Sequence, residues 1–446
     1  MRITYAVNLK KIILLVGDIG ILYASLFATL YIRFEQIYTE TLFLHLRPFT
    51  MLFFFWLLIF FIIGLYDIRE LKNTIAFNKR ISVAIFINFV FGILFFYFIP
   101  SFQIAPKTNL FILLIIFGIA TYIWRVIYNN ILKLKTAREQ ILLIGDNEAT
   151  QTLAEQIRHN PQWGYVIAHW IQSETDAFDA KHLKKILLDA HINLIVVSAQ
   201  MKRDARLSHM IYQNLLPGIG MLDLIDLYEI ILKKTPLTEL HQHSFTTYTS
   251  AQNITYSIIK RFIEFLFACV MSVITLPLCM VIGLLIKVTS PGSAFFTQRR
   301  VGKARKQFIL WKFRTMVYDA EKHGPQWSQK NDARITTVGR FLRKTHIDEL
   351  PQLWNIIRGD LSLIGPRPER PEFVQTLEKE IPYYHLRHVI RPGLTGWAQI
   401  NYRYGASTAD AYEKLQYDIF YLKNRSWWLD IITVIKTVKR LFVSAQ

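Results

Sequence analysis

Four long apolar runs occupy roughly the first 130 residues and constrain the fold more than any other feature. They lie near 12–32, 49–65, 83–99 and 110–127. An α-helix rises 1.5 Å per residue, so each run is about long enough to cross a hydrocarbon core of roughly 30 Å, the two shorter runs only just. The first run lacks the small-residue cleavage site of a signal peptide, and further runs follow it. The sequence therefore predicts an N-terminal bundle of four transmembrane helices.

The composition differs from that of an ordinary soluble enzyme. Hydrophobic residues make up 52% of the chain, and 52 Lys and Arg stand against 33 Asp and Glu. An apolar and basic chain is typical of a membrane protein that faces anionic lipid or anionic substrate. Nucleic acid is not an expected partner, because the basic residues do not form a module that reads a groove. The two cysteines, Cys269 and Cys279, lie inside an apolar run and are expected to pack as small hydrophobic residues.

The charges that flank the apolar runs predict their orientation. Basic residues precede the first run and follow the second and fourth, namely Lys10, Lys11, Arg69, Lys72, Lys79, Arg80, Arg125, Lys133, Lys135 and Arg138. Because such residues stay on the cytoplasmic side, the N-terminus and the chain after about residue 130 are predicted to begin in the cytoplasm. Asp18, the lone acid of the first run, is interpreted as a helix–helix contact near one interface rather than as an ion site.

From Glu139 onward the pattern becomes that of an α/β domain. The segments 140–146, 192–199 and part of 218–226 are apolar enough for buried strands, and a polar helix runs to His159. Alternating strands and helices predict a parallel sheet and a Rossmann-like fold. The first strand-turn contains Gly145 but lacks the other glycines of GxGxxG, so its backbone cannot approach a pyrophosphate closely. We therefore expect a structural or regulatory role without a bound nucleotide.

A fifth apolar segment, 265–286, contains no charged residue and is long enough to span a membrane. Pro277 near its middle removes one helical hydrogen bond, which predicts a break or a kink. Basic residues flank both ends, and residues 287–314 contain eight Lys or Arg and no acid. Moving this stretch across the membrane would violate the positive-inside rule. We therefore predict a re-entrant helix over 262–287 that bends at Pro277 and returns to the cytoplasmic face.

A basic stretch and an acidic pair follow this segment. In WKFRTM (311–316), Lys312 and Arg314 lie on one side of an extended chain, and the alternating aromatic residues indicate that the other side is buried. A solvated basic strand at a lipid surface is the alternative interpretation. In HIDELPQL (346–353), the adjacent acids Asp348 and Glu349 precede a proline.

That proline helps to place the helix that follows the acids. Apolar residues recur at helical spacing up to Arg358, and Gly359 is suited to end a helix. Proline is tolerated only in the first helical turn, so we predict a helix that starts close to Asp348. Asp348 or Thr345 is then the expected N-cap, and capping alone would explain one short acid.

Capping does not explain the second acid or the basic residues around the pair. Arg343 lies just upstream, and Arg367 lies between two prolines in the rigid GPRP loop. Adjacent carboxylates with cations nearby suit a divalent metal and a phosphate group. Further on, RPGLTGW (391–397) forms a tight loop that presents Arg391. Near the C-terminus, Trp427 and Trp428 ahead of lysines favour a helix in the membrane interface, with core packing as the alternative.

The region from Lys260 to the C-terminus resembles the bacterial sugar transferase superfamily, the monotopic polyprenyl-phosphate phosphoglycosyl transferases. The motifs that carry the resemblance are KFRTM, GRFLRKTHIDELPQLWNIIRGDLSLIGPRP and RPGLTGWAQIN, in this order. With four spans and a Rossmann-like middle domain, the whole chain resembles the long form typified by undecaprenyl-phosphate glucose or galactose phosphotransferases. One departure is that Leu276 precedes Pro277, where members of the family often have serine.

The resemblance implies transfer of a sugar-1-phosphate from a UDP-sugar to undecaprenyl phosphate with release of UMP. This is the first membrane step of exopolysaccharide, capsule or O-antigen synthesis, and it takes place at the cytoplasmic face of the bacterial inner membrane. By motif match, Asp348 is the nucleophile that forms an aspartyl-phosphosugar, and Glu349 supports Mg²⁺ together with it. The residues implied in binding phosphates or substrate are Lys312, Arg314, Arg343, Arg367 and Arg391.

The predicted fold class is membrane α plus α/β, in three domains: a transmembrane bundle (1–135), a Rossmann-like domain (136–250) and an α/β catalytic domain with the re-entrant helix (251–446). The expected partners are a UDP-sugar, undecaprenyl phosphate and membrane lipid, and homo-oligomerisation stays open. Two other functions stay open as well. One is a glycosyltransferase in which Asp348 acts as a base and UDP leaves. The other is a non-enzymatic scaffold for polysaccharide assembly that binds lipid through its basic face.

Overall fold

The computed structural model divides into two compact units, Met1–Ile231 and Leu232–Gln446. It describes residues 2–36, 39–67, 71, 73–99, 107–131, 138–172, 180–214, 217–240, 254–317, 332–402, 405 and 407–443. Both predicted domain boundaries, at 135/136 and 250/251, lie outside the described residues. Four of the basic residues used for orientation also lie outside them, namely Arg69, Lys72, Lys133 and Lys135.

The first unit begins with four apolar helices, as predicted. They are α1 (Arg2–Phe34), α2 (Thr39–Ile63), α3 (Ile75–Phe98) and α4 (Lys107–Ile131), and each contains a segment long and apolar enough to cross a membrane. Side chains between the helices are buried, as in the case of Leu52 and Trp56, whereas Phe54 on the outer side is 66% exposed. An apolar outer surface of this extent indicates contact with lipid.

Asp18 lies in the interior of the helix bundle. Its Oδ2 accepts hydrogen bonds from Arg125 at 2.6 Å and from the Tyr66 hydroxyl at 2.7 Å, and all three residues are buried. Hydrogen bonds added to a buried ion pair help to offset the cost of removing both charges from water. The prediction that Asp18 makes a helix–helix contact is confirmed, because Arg125 belongs to α4.

The rest of the first unit contains a parallel sheet with the strand order β2-β1-β3-β4. Strands β1 (Glu139–Ile144), β3 (Leu194–Val197) and β4 (Gly220–Asp223) lie in the three predicted segments, and β2 (Tyr165–Ile171) was missed. β2 is an edge strand and is mostly half-buried, so it lacks a continuous apolar run. The helices that accompany the sheet are α5 (Glu148–His159), α6 (Ala180–Asp189), α7 (Ala199–Lys202), α8 (Ala205–Gln213) and α9 (Leu224–Leu232).

Gly145, at the end of β1, is explained by packing. Its φ is +140°, and a Cβ at this position would lie 2.6 Å from Oγ of Ser198. Glycine adopts such a φ without steric cost, and no larger residue fits against Ser198. The next turn is closed by Asn147, whose side chain accepts a hydrogen bond from the Thr150 N–H. Packing therefore explains the glycine at position 145, and a nucleotide is not needed to explain it.

The second unit combines one very long helix with small sheets and shorter helices. Its elements are α10 (Ile254–Thr289), β5 (Phe295–Val301), β6 (Gln307–Phe313), α11 (Thr337–Thr345), α12 (Gln352–Arg358), β7 (Ser362–Ile364), α13 (Pro371–Glu380), β8 (Gly393–Thr395), α14 (Trp397–Asn401), α15 (Thr408–Asn424) and α16 (Trp427–Val443). β5 and β6 form an antiparallel hairpin, and β7 pairs in parallel with β8.

Helix α10 packs on the α/β core with both of its halves. Before Pro277, Ala268 packs in a cluster with Leu310, and after it Ile282 packs in a cluster with Phe313. Leu310 and Phe313 belong to the same short strand, β6. The helix is uninterrupted at Pro277, so the proline does not end it, because the loss of one hydrogen bond leaves those of the neighbouring turns in place.

Candidate active site

The two adjacent acids lie in a 3₁₀ turn that joins two helices. α11 ends at Thr345, and His346 adopts the left-handed conformation with φ of +56°. The turn Ile347–Glu349 follows at once and contains both carboxylates. A tight turn of this kind sets two successive side chains at the start of α12 without making them part of the helix.

The predicted start of the following helix is wrong. Pro351 immediately precedes α12, and no side chain caps the helix, so neither Asp348 nor Thr345 is its N-cap. The 3₁₀ turn already pairs the backbone, since Leu350 N–H donates to the Ile347 carbonyl at 3.2 Å. Asp348 therefore does not cap this helix.

The helix end was predicted correctly. α12 stops at Arg358, and Gly359 follows in the left-handed conformation with φ of +90°. The N–H of Gly359 donates to the Asn355 carbonyl at 3.1 Å. This is the expected way for glycine to end a helix.

Glu349 is held between two cations. Its Oε1 accepts hydrogen bonds from Nζ of Lys312 at 2.7 Å and from the Arg367 guanidinium at 3.1 Å. The Glu349 side chain is only 13% exposed. Burial opposes its ionisation, but Lys312 and Arg367 outweigh burial and hold the pKa of Glu349 well below its usual range. Glu349 is therefore a fixed carboxylate at neutral pH.

Asp348 has a different environment although it is the next residue. It is 7% exposed, and within the described part of the chain its carboxylate accepts no hydrogen bond. Burial raises the pKa of Asp348, Lys312 opposes this rise, and the charge of Glu349 adds to it. A carboxylate that is poorly solvated and not engaged in hydrogen bonds is suited to attack an electrophile.

Arg343 reaches the same site from α11. Its Nε donates to the hydroxyl of Thr315 at 2.8 Å, which fixes its stem beside the end of β6. Both the neighbouring His346 and Arg343 lower the pKa of Asp348. The sequence did not single out His346, although it lies two residues before the first acid. The structure thus brings Lys312, Arg343 and Arg367 together with the two acids.

Arg314 and Arg391 are placed elsewhere. The two terminal nitrogens of Arg314 donate to the backbone carbonyls of Ser290 and Pro291, each at 2.8 Å, so its guanidinium supports the turn after α10. Arg391 lines a separate cavity together with Arg261. Phosphate binding by Arg314 and Arg391 stays a prediction from the resemblance.

Two buried residues that the sequence did not indicate position the site. Asn355 of α12 is fully buried, and its side chain bonds the backbone of β6 twice: Nδ2 donates to the Ile309 carbonyl at 2.6 Å, and Oδ1 accepts from the Trp311 N–H at 3.1 Å. This fixes the strand that carries Lys312 against the helix that follows the acids. Arg387 donates to the Arg367 carbonyl at 2.9 Å and so holds the loop that carries Arg367.

The two acids are the residues of the site that could contribute ligands to a magnesium ion. Asp348 has free acceptor capacity, and no hydrogen bond from a described residue to Oε2 of Glu349 is seen. Among the described residues no group of three or more His, Cys, Asp or Glu is arranged to hold a metal. Magnesium commonly takes one or two carboxylates and completes its shell with water and substrate phosphates. Two carboxylates are therefore enough protein ligands for such an ion.

Known proteins are similar in sequence to the part of the chain that contains this site. The bacterial sugar transferase family matches residues 255–444, which include both acids and the basic residues Lys312, Arg314, Arg343, Arg367 and Arg391. The UDP-glucose:undecaprenyl-phosphate glucose-1-phosphate transferase of Escherichia coli is 31% identical over 318 residues, which are 69% of this chain and 68% of that protein. The chain belongs to the bacterial sugar transferase family.

Other relatives of this sugar transferase are similar over its C-terminal part. The UDP-N-acetylgalactosamine-undecaprenyl-phosphate N-acetylgalactosaminephosphotransferase of Aeromonas hydrophila is 45% identical over 186 residues, or 42% of this chain and 44% of that protein. The UDP-glucose:undecaprenyl-phosphate glucose-1-phosphate transferase of Caulobacter vibrioides is 38% identical over 187 residues, or 42% of this chain and 70% of that protein. The matched part of this chain thus covers less than half of the length of the Aeromonas protein.

Proposed function

We propose that this sugar transferase moves a sugar-1-phosphate from a UDP-sugar to undecaprenyl phosphate and releases UMP. The observation that carries the proposal is the contrast between the two acids. Asp348 is buried, with a raised pKa and a carboxylate that accepts no hydrogen bond from the described residues. Glu349 beside it is locked as an anion by Lys312 and Arg367. Asp348 is thus available to form a bond, and Glu349 holds the cationic side chains of Lys312 and Arg367 beside it.

The reaction follows as two displacements at one phosphorus. A carboxylate oxygen of Asp348 attacks the phosphorus that bears the sugar, and the bond from that phosphorus to the bridging oxygen breaks. UMP leaves with the electron pair, and an aspartyl-phosphosugar is formed. A phosphate oxygen of undecaprenyl phosphate then attacks the same phosphorus and releases the Asp348 carboxylate. The product is a lipid-linked diphosphate sugar, and the enzyme returns to its starting state.

The basic side chains and the second acid have separate roles in this scheme. Lys312, Arg343 and Arg367 offset the negative charge of the phosphates and orient the phosphorus toward Asp348. Asp348 and Glu349 would hold Mg²⁺, which when bound neutralises phosphate oxygens. Removal of Mg²⁺ by chelation is expected to weaken UDP-sugar binding, measured by calorimetry, as well as the turnover.

We also propose that α10 is re-entrant and that the second unit lies at the cytoplasmic face of the inner membrane. The two halves of α10 pack on the same α/β core, which supports a position of both ends of the apolar segment on one side of the membrane. The middle of α10 is exposed and apolar, with Val273 73% and Ile274 62% exposed, as expected for insertion into lipid. Trp428 of α16 is 62% exposed, which favours a helix in the membrane interface over core packing.

The parallel sheet of the first unit is proposed to be a Rossmann-like domain without a bound nucleotide. The strand order β2-β1-β3-β4 agrees with a doubly wound fold. The packing of Gly145 against Ser198 supports a structural explanation for the glycine. The role is therefore structural or regulatory, and the three-domain division stays part of the proposal.

The decisive experiment is to mix the purified enzyme with a panel of UDP-sugars and Mg²⁺ in the absence of undecaprenyl phosphate. One equivalent of UMP per enzyme is expected with the correct sugar, followed by steady release when the lipid acceptor is added. Release of UDP would favour the glycosyltransferase alternative. If this protein releases no nucleotide and a different protein forms the lipid-linked product, the scaffold alternative would be favoured.

A further inference from the structure

A second cationic site lies at the opposite end of α12 from the acid pair. The first turns of α10 line a cavity of about 390 Å³ together with β7, the loop after β5, the loop before β8 and the C-terminal end of α15 with the residue that follows it. Five basic side chains and one acid, Glu264, line it; the basic ones are Lys260, Arg261, Lys303, Arg391 and Arg425. Arg261 donates to the carbonyls of Ile356 and Ile357 at the C-terminal end of α12, whereas Glu349 precedes its N-terminal end. A helix of this length separates the two sites by about 10 Å.

The two acids near this cavity, Glu264 and Asp430, are already engaged with other groups. Glu264 accepts hydrogen bonds from the Ser362 hydroxyl at 2.6 Å and from the Leu363 N–H at 3.1 Å. Lys260 lies 3.0 Å from Asp430 and donates to the Tyr421 hydroxyl at 2.8 Å. Lys260 also lies 3.8 Å from Glu264, so both acids share this lysine. In the described part of the chain neither acid forms an ion pair with Lys303, Arg391 or Arg425.

Three cations of the cavity lack such a partner. Within the described part of the chain, the side chains of Lys303, Arg391 and Arg425 make no hydrogen bond and no ion pair. The Nε of Arg425 is buried without a partner, and its guanidinium lies 5.8 Å from the centre of the Tyr256 ring. Like charges that converge on one cavity repel each other, and an anion bound between them would relieve this repulsion.

The position of the cavity indicates which anion it takes. Guanidinium groups match the oxygens of a phosphate in bidentate geometry. The cavity is bordered by an apolar outer face of α10, where Ile254 is 73%, Ile258 64% and Phe262 66% exposed. We propose that this cavity binds the phosphate headgroup of a membrane lipid, in addition to and apart from the acid pair. The proposal does not depend on the reaction proposed above.

The test measures lipid retention by native mass spectrometry of the full chain in detergent after delipidation. Phosphatidylglycerol and undecaprenyl phosphate are titrated separately against the wild type and against Lys303→Gln and Arg425→Gln. Loss of one charge-assisted hydrogen bond is expected to weaken retention of at least one of the two lipids about tenfold. Lys303 is exposed, so its substitution leaves the fold intact. The matched control is Lys306→Gln, an exposed lysine of the same hairpin that does not line the cavity.

Two further arms identify the ligand. Diacylglycerol, which lacks a phosphate, is expected to be retained poorly, and inorganic phosphate is expected to bind far more weakly than either lipid. The lipid whose retention is weakened by Lys303→Gln and Arg425→Gln is the one that supplies the bound headgroup. The proposal is overturned if these variants retain both lipids as the wild type does. Equal retention of diacylglycerol, equal affinity for inorganic phosphate, or an equal loss in Asp348→Asn would also overturn it.

Discussion

Asp348 and Glu349 are neighbours in sequence, yet their electrostatic surroundings differ. Glu349 accepts two charged hydrogen bonds, which stabilise its anion. Asp348 is buried, and no described residue donates a hydrogen bond to it. Burial raises the pKa of Asp348, whereas the cations depress that of Glu349. Two environments that drive neighbouring pKa values apart are a common means of separating roles in an active site.

Substitution of the proposed nucleophile separates these roles. Asp348→Asn is expected to lower the transfer rate about 10³-fold or more and to abolish the stoichiometric release of UMP, because the covalent route is lost. Glu349→Gln is expected to slow the reaction while the sugar-phosphate adduct still forms on Asp348. Rapid-quench measurement of UMP and mass spectrometry of the peptide that contains Asp348 distinguish the two variants. An adduct in Asp348→Asn would assign the nucleophile elsewhere.

The pH dependence of the reaction tests the charge environment of Asp348. Attack requires the ionised carboxylate, so the rate falls as pH decreases through its pKa, which burial places above that of an ordinary aspartate. Lys312 lowers this pKa, and Lys312→Met is therefore expected to move the acidic limb of kcat/KM to higher pH. In the wild type Glu349 stays ionised over this range because Lys312 and Arg367 depress its pKa, and Arg367 still does so in Lys312→Met. The control Lys306→Met, at an exposed position, should leave the acidic limb of kcat/KM unchanged. If Lys312→Met also leaves this limb unchanged, the acidic limb does not report the ionisation of Asp348 beside Lys312.

At the scale of elements, the site depends on how α12 is fastened to the β5–β6 hairpin. Lys312 is on β6, Glu349 precedes α12, and Arg367 is on the loop after β7. Asn355 bonds α12 to β6 through two backbone groups, and Arg387 bonds the Arg367 loop. The buried Asn355 amide thus helps to hold Lys312 at 2.7 Å from Glu349, because it fixes the strand that carries Lys312.

Removal of the Asn355 amide tests whether this residue positions the site. Asn355→Ala leaves the Trp311 N–H and the Ile309 carbonyl unpaired, at a cost of about 1–3 kcal/mol for each buried group. We expect a lower unfolding midpoint together with a loss of kcat. Asn424→Ala is the matched control, since Asn424 is exposed and, among the described residues, donates only to the Phe420 carbonyl of its own helix at 3.0 Å. Wild-type stability of Asn355→Ala would refute the positioning role.

At the scale of the whole molecule, the topology of α10 determines where the reaction takes place. If α10 crossed the membrane, residues 287–314, with eight basic residues and no acid, would be translocated. The packing of both helix halves on one core argues for the re-entrant arrangement. The acid pair would then meet a nucleotide sugar from the cytoplasm and a lipid phosphate at the same surface.

Cysteine labelling tests this topology. In a chain whose Cys269 and Cys279 are replaced by alanine, Glu155→Cys and Lys306→Cys are expected to react with an impermeant maleimide only after the inner membrane is opened. Gln36→Cys, between α1 and α2, serves as the control for the outer side and is expected to react in intact spheroplasts. Labelling of Lys306→Cys from outside would exclude the re-entrant helix.

Patterns of hydrophobicity and a few backbone constraints predicted much of the architecture. The four N-terminal helices, three of the four parallel strands and the end of α12 at Gly359 follow from local sequence, because burial and helix termination depend on neighbouring residues. The β2 edge strand was missed because it is only partly buried. The start of α12 was misplaced because a 3₁₀ turn, closed by its own backbone, took the place of a side-chain cap.

The sequence by itself determined which residue types the site contains, since the adjacent acids and the basic motifs that surround them can be read directly from it. Tertiary structure alone decided which of these residues meet. Lys312, Arg343 and Arg367 come to the acids, whereas Arg314 supports a turn and Arg391 joins another cavity. The reason is that a charge acts over a few ångströms in space, and distances between segments so far apart along the chain are set only by the packing of strands and helices.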